Sequence, residues 1–245
     1  MNIDYAEISR TYDDCRSYPE GLIKRIIEFG KISEGMRILD LGCGTGAVAC
    51  NLLRLINAEI IGVDISLPML QVAREKSLEV ICANADDGWL PFASNSFNSI
   101  IGAYVVHQIN NLPLLFSECY RILNDGALVL LTSSHKQIEA QHPVIKQFFP
   151  RCIDIDKSRF PDINTIDYLL TSACFKDIEH KEVVVENIPI DQTYLQKVKN
   201  KYVSTYHMLE QKEFELGIKN LEAFIKSRRQ SDSREWRGTF IYGRK

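Results

Sequence analysis

The stretch Met36-Arg37-Ile38-Leu39-Asp40-Leu41-Gly42-Cys43-Gly44-Thr45-Gly46-Ala47 reads as a short strand, a glycine-rich turn and the start of a helix. Met36 to Leu39 is apolar apart from Arg37, and Ala47 to Ile56 carries a helical pattern. Glycines at 42, 44 and 46 allow a tight turn and let backbone come close to a ligand. Three glycines in five residues exceed what a turn alone requires. A phosphate loop would need Lys-Ser/Thr after the glycines, and none follows. The spacing Gly42-x-Gly44-x-x-Ala47 also satisfies the loose dinucleotide pattern. Asp40 separates the two readings: a carboxylate at the strand tip repels a pyrophosphate and attracts an ammonium group.

Outward from this turn, strands and helices alternate. Ala58 to Val63, Leu78 to Ala83, Phe97 to Tyr104 and Gly126 to Thr132 are apolar strand candidates. Pro68 to Lys76, opened by Ser66, and Leu112 to Leu123 are helical between them. Nearly continuous apolar strands fit a parallel sheet covered on both faces. After Ser134 the rhythm changes. His135 to Pro161 shows few clear periods, Thr165 to Cys174 is helical, and Ile178 to Val185 is a strand. Gln192 to Arg228 then reads as a long helical stretch, with Phe214, Ile218, Leu221 and Ile225 on one face. Thr239 to Tyr242 closes the set as a seventh strand. The expected fold is therefore α/β, a Rossmann-like, doubly wound and mostly parallel seven-stranded sheet with a helical cap. The expected division is an N-terminal helical lid at 1–35, a core of 36–190 and 236–245, and a cap of 191–235. Residues 135–163 are a further candidate part of that cap.

Composition bounds the chemistry. The chain has 245 residues, 45% hydrophobic and 25% charged, with a formal net charge of −3. This is ordinary globular composition and gives no general reason to expect a nucleic-acid partner. The seven cysteines include no Cys-x-x-Cys pair, so reduced thiols in a cytoplasm are expected rather than disulfides, and no metal. The N-terminus lacks a signal-peptide core, and no apolar run reaches the ~18 residues of a membrane span. A cytoplasmic monomer or homodimer without a membrane partner is the expectation.

In open parallel sheets, ligands bind beyond the carboxyl ends of the strands. Asp64, ending the second strand, is placed to accept both hydroxyls of a ribose. Asp86, in Ala85-Asp86-Asp87-Gly88, can accept from an adenine amine, while Asp87 offers its backbone amide to the ring. His107 runs off the fourth strand as a candidate general base, or as a histidine that orients the loop.

Together these features resemble the class I S-adenosylmethionine-dependent methyltransferases, in the group of ubiquinone/menaquinone-biosynthesis and trans-aconitate methyltransferases. The matching residues are Asp40-Leu41-Gly42-x-Gly44-x-Gly46, Asp64, Asp86-x-x-x-Leu90-Pro91-Phe92, Ser96-Phe97, His107 and Glu118-x-x-Arg121-x-Leu123. They span about two-fifths of the chain. Tyr12-Asp13-x-x-Arg16-x-Tyr18-Pro19 resembles that group's N-terminal segment, which folds over the cofactor; the resemblance implies that Tyr12 and Arg16 contact the methionine carboxylate. Asn98 and Asn124-Asp125-Gly126 depart from the usual residues at turns away from the donor.

The expected donor site, for S-adenosyl-L-methionine and its product S-adenosyl-L-homocysteine, comprises Tyr12, Arg16, Asp40, Gly42, Cys43, Gly44, Asp64, Ile65, Asp86, Asp87 and Ala103. The expected reaction is in-line displacement of the methyl group onto a small organic acceptor. A protein substrate and an NAD-dependent oxidoreductase are the alternatives. If the acceptor must lose a proton, His107, Tyr104 and His207 are the candidates. Phe148, Phe149, Tyr202, Tyr206, His207 and Met208 are expected either to line an acceptor pocket or to be helix core. Lys226-Ser227-Arg228-Arg229 reads as a solvated helix end or a steering patch for an acidic substrate.

Overall fold

A computed structural model describes residues 8–9, 12–15, 18–227 and 232–245. Seven strands form one sheet: β1 Arg37–Leu41, β2 Glu59–Asp64, β3 Glu79–Cys82, β4 Phe97–Ala103, β5 Leu123–Thr132, β6 Lys176–Pro189 and β7 Ser233–Arg244. Their order is β3-β2-β1-β4-β5-β7-β6. β1 to β5 are mutually parallel, and β7 runs antiparallel to both β5 and β6. The strand order reverses between β1 and β4, which opens a crevice at the carboxyl edge beside the glycine turn.

The apolar strands are explained by burial on two faces. Alternate residues point to opposite sides. Ile38, Ile60, Ile101 and Val129 join one core with the helices Glu20–Phe29, Ala47–Leu53 and Leu67–Glu75. Leu39, Ile61, Ile100 and Leu128 join the other, against Leu112–Ile122 and Ile163–Ser172. Ser66 caps the helix Leu67–Glu75 by accepting from the Met69 amide at 3.5 Å. Among the described residues no helix is long and apolar enough to cross a membrane.

Two sequence expectations change here. The single helical stretch from Gln192 to Arg228 is broken into Gln192–Lys199, a 3-10 turn at Ser204–Met208 and Gln211–Ser227. Lys201 adopts a φ of +48°, which no α-helix tolerates, and Asp191 caps the first piece through the Tyr194 amide. The weakly periodic 135–161 region resolves into His135–Glu139, Pro143–Phe148 and Arg151–Arg159, helices too short to show a period. A third core joins all of these pieces but His135–Glu139, with Phe149, Tyr194, Tyr206, Phe214 and Leu221 buried together.

β7 is also much longer than Thr239 to Tyr242. Thr239 pairs with Thr132, the end of β5, whereas Ser233 to Gly238 pair only with β6. The β6–β7 hairpin therefore overhangs the carboxyl edge of the parallel sheet. Its exposed Ser233, Glu235 and Arg237 give it a polar outer side, which conceals a strand from any hydropathy pattern.

Candidate active site

The glycine turn is folded back by β2. The amides of Gly42 and Cys43 both donate to the Val63 carbonyl, at 2.7 and 3.0 Å. Gly42 has a φ of +69°, and a Cβ there would lie 2.5 Å from Val105 Cγ2. Gly44 has a φ of +52° but would place a Cβ in open space. The first glycine is thus required by packing, and the second leaves room for a ligand. Cys43 is buried beside Gly62, and burial pushes its thiol up, so it stays protonated.

Asp40 is only 1% exposed. Burial raises its carboxyl to about 7, partly offset by the Ala49 amide, and the charge of Asp64 adds to the rise. Its Oδ2 has no hydrogen-bond partner among the described residues, although the residue lines a cleft of about 160 Å³. An unpaired buried acceptor costs about 1–3 kcal/mol, which a cationic ligand group in the cleft would recover. Asp64 accepts from the Gly44 amide at 2.9 Å and the Ser66 amide at 2.8 Å. One carboxylate thereby ties the glycine turn to the entry of the next helix while facing the same cleft. Burial raises its pKa as well.

The remaining expected residues divide. Tyr12, Gly42, Cys43, Gly44, Ile65, Asp86 and Ala103 all line the cleft with Asp40 and Asp64. Ile65 is 63% exposed, a large apolar side chain left at the rim. Asp86 is already engaged: Oδ1 accepts from the Asn110 and Asn111 amides, and Oδ2 from Asn110 Nδ2. It anchors the loop that starts the helix Leu112–Ile122, and about one of its four acceptor positions remains for a ligand. Asp87 is not brought to the cleft. Its amide donates to the Asn84 carbonyl and its Oδ1 accepts from Asn84 Nδ2. Arg16 lies outside the described residues. A feature missed by sequence reasoning holds the short helix Tyr12–Cys15: Asp13 binds Thr45 Oγ1 and Lys76 Nζ, and Lys76 also reaches the Thr45 carbonyl at 2.8 Å. Asp13 stands within the quoted N-terminal pattern, but its partners lie too far along the chain to be read from it.

A larger cavity of about 650 Å³ adjoins the cleft, and Tyr12, Tyr104 and Gln108 line both. Its floor is the end of the sheet, and its walls are the β6–β7 hairpin and the helices after Ser134. His107 lines it and stacks on Phe160, with ring centroids 4.0 Å apart and planes 8° from parallel. Tyr104, at a φ of +54°, stacks on Trp236. Tyr202, Tyr206 and His207 line the cavity, whereas Phe148, Phe149 and Met208 do not. Phe149 is fully buried against Tyr206 and Phe214, and Phe148 packs on Phe224, so both belong to the helical core. Lys226 pairs with Glu222 at 3.0 Å on an exposed helix face, while Arg228 and Arg229 lie outside the described residues.

Glu118 and Arg121 prove structural. Glu118 accepts from the Leu90 amide, and Arg121 donates to the Leu90 and Phe92 carbonyls. The pair, joined at 2.8 Å, clamps the Leu90-Pro91-Phe92 loop onto the helix.

The family described as a methyltransferase domain matches residues 39–131, from the end of β1 to the end of β5. The malonyl-(acyl-carrier protein) O-methyltransferase of Legionella pneumophila is 35% identical over 182 residues, 71% of this chain and 60% of that protein. The demethylmenaquinone methyltransferase of Tropheryma whipplei is 34% identical over 107 residues, 42% of this chain and 44% of that one. The chain thus spans less than two thirds of either relative. A methyltransferase structure from Anabaena variabilis, described as belonging to antibiotic biosynthesis, shares the fold. Its TM-score is 0.78 at 21% identity, over 94% of this chain and 98% of that one. Residues 39–131 thus match a methyltransferase domain, and the chain shares its fold with a methyltransferase structure.

Proposed function

We propose that the protein moves a methyl group from S-adenosylmethionine to a small organic molecule held in the larger cavity. The observation that carries this reading is the unpartnered Oδ2 of Asp40, in a cleft that meets that cavity at Tyr12, Tyr104 and Gln108. When bound, the donor supplies a sulfonium-activated methyl group for in-line displacement, leaving S-adenosylhomocysteine. Asp40 holds the donor's ammonium, and Asp64 accepts from the ribose hydroxyls. Ile65 and Ala103 flank the adenine, with Asp86 at its amine. The turn of Asp87 supports that end without touching it. Tyr12, with Arg16, takes the carboxylate.

The chain's own task is to orient two molecules and exclude water, which can supply several kcal/mol without a base. Where the acceptor must lose a proton, His107 takes it, since its ring lines the acceptor cavity just past β4. The helices of 135–163 and 191–235 act as the cap that selects the acceptor. A cavity of about 650 Å³ fits a small or medium organic molecule, within the range of ligand pockets.

The test is transfer of labelled methyl from S-adenosylmethionine into a fractionated extract. Label is expected in the small-molecule fraction; label confined to protein or nucleic acid overturns the acceptor class. Binding of S-adenosylhomocysteine without binding of NAD is expected alongside it.

A further inference from the structure

Arg234 lies near the start of β7, on the overhanging hairpin, where it pairs in register with Ile188. It is five residues before Thr239, the position level with the end of β5; at ~3.3 Å per residue this is about 16 Å along the strand. Its inward neighbour on the same face is Trp236, which stacks on Tyr104. Arg234 lines the larger cavity, and its Nε is buried with no hydrogen-bond partner among the described residues. Nη1 donates to the phenol oxygens of Tyr194 at 3.4 Å and Tyr202 at 3.1 Å. Tyr206 completes the group, its ring centroid 6.0 Å from that of Tyr202.

This guanidinium has no carboxylate partner among the described residues. Of the cavity's carboxylates, Glu182 and Glu235 are held by Arg237, and Asp156 accepts from Thr205 Oγ1. Glu186 lines the cavity but forms no ion pair with Arg234. Nearby Asp232 pairs with His142 at 3.5 Å. A half-buried cation without a counter-charge is left partly desolvated and uncompensated. Burial opposes that charge and the phenols of Tyr202 and Tyr194 support it, yet a neutral oxygen remains a weaker acceptor for guanidinium than a carboxylate. The Tyr194 phenol, which accepts from Arg234, still has its own proton to donate. Burial raises the Tyr206 phenol well above its usual range, so that hydroxyl keeps its proton too. The cluster therefore offers donors and a positive charge, the complement of an oxyanion.

We propose that Arg234, with Tyr194, Tyr202 and Tyr206, binds an anionic group, a carboxylate or a phosphate, carried by the methyl acceptor. This rests on the methyltransferase reading above, with the larger cavity as the acceptor site. Because Arg234 stands well beyond the sheet edge, the anion is separated from the atom that receives the methyl group. The acceptor class is then an elongated organic anion.

The chain has two tryptophans, and Trp89 is 63% exposed, so Trp89→Phe leaves Trp236 as the reporter beside Arg234. Succinate and inorganic phosphate, titrated separately in chloride-free buffer, are expected to change its emission saturably. The tighter of the two assigns the anion as carboxylate or phosphate. Arg234→Gln should weaken that response at least about tenfold, and Arg234→Lys should recover part of it. Tyr202→Phe, a milder change, should weaken it several-fold. S-adenosylhomocysteine affinity, measured by calorimetry on each variant, should not move and reports an intact sheet, while unchanged near-ultraviolet circular dichroism reports that the tyrosine-rich helical core is intact. No saturable response to either anion, or an equal response in Arg234→Gln with donor-product binding retained, overturns the receptor. Failure of the unsubstituted protein to bind S-adenosylhomocysteine overturns the methyltransferase reading instead.

Discussion

Asp40 carries the sharpest consequence at the residue scale. Its ordinary value is 3.8, and burial raises it to about 7 in the folded chain. A carboxyl raised on folding holds its proton more tightly when folded. Its contribution to stability is thus complete below about pH 3.8 and is lost as the pH climbs through about 7. Donor binding has the opposite sense, because an ammonium favours the ionised form. S-adenosylhomocysteine affinity should therefore tighten about tenfold between pH ~6 and pH ~8, with proton release on binding below neutrality. Calorimetry in buffers of different ionisation enthalpy measures both, and Asp40→Asn should flatten the profile. A flat profile in the unsubstituted protein would remove Asp40 from the ammonium. Asp64→Ala should weaken the same ligand by about 1–3 kcal/mol through lost charge-assisted hydrogen bonds; unchanged affinity would mean the ribose lies elsewhere. Both carboxylates were legible in the sequence because each lies at the carboxyl end of an apolar strand, Asp40 one residue before the end of β1 and Asp64 at the end of β2, and the sheet aligns strand ends. The engagement of Asp86 was not, since Asn110 and Asn111 lie 24 and 25 residues away across a loop. Arg234 was missed for a related reason: nothing in a polar hairpin signals that tyrosines from separate helical pieces converge on it.

At the scale of elements, the turn between β1 and the helix Ala47–Leu53 separates two roles that glycine can play. Gly42→Ala combines a left-handed φ with a Cβ 2.5 Å from Val105 Cγ2, so it should destabilise the protein by about 2–4 kcal/mol. Gly44→Ala meets nothing within 4 Å and should cost only about 1–2 kcal/mol of stability. Its methyl enters the cleft, however, and should weaken S-adenosylhomocysteine more than Gly42→Ala does in the fraction that remains folded. Denaturant titration and calorimetry on the two variants give the comparison; the reverse order would mean that Gly44 faces away from the donor. The strands of the sheet were readable because two-sided burial makes them apolar throughout. The apolar face at Phe214, Ile218, Leu221 and Ile225 was readable for the same reason, as it packs into a core. The break at Asn200-Lys201 was not, because the surrounding residues keep helical composition while a single φ of +48° ends the run.

At the scale of the whole molecule, the helices that wall the larger cavity have a core of their own. Phe149, Tyr194, Val198, Tyr206 and Leu221 are nearly inaccessible, yet they belong to neither of the two cores on the sheet faces. The donor cleft is built on β1, β2 and β4, and so depends on the sheet cores. The cavity beside it depends on both. Donor binding and acceptor binding should consequently respond to different packing defects. Phe149 is the keystone of the helical core: its ring lies 5.1 Å from that of Tyr206 and 6.1 Å from that of Phe214, and Gly217 leaves the space its edge occupies. Phe149→Ala should cost about 3–5 kcal/mol, the usual range for emptying an aromatic site. Hydrogen exchange should then quicken across Pro143–Phe148, Gln192–Lys199 and Gln211–Ser227 while β1 to β5 keep their protection. S-adenosylhomocysteine should still bind with near-native affinity, whereas the anion response at Arg234 should fall, because Tyr206 loses its support. Loss of protection in sheet and helices together, with donor-product binding lost at the same point, would show one cooperative unit. The acceptor site could not then vary independently of the donor site, and the sequence contrast between a motif-rich first half and a motif-poor second half would need another cause.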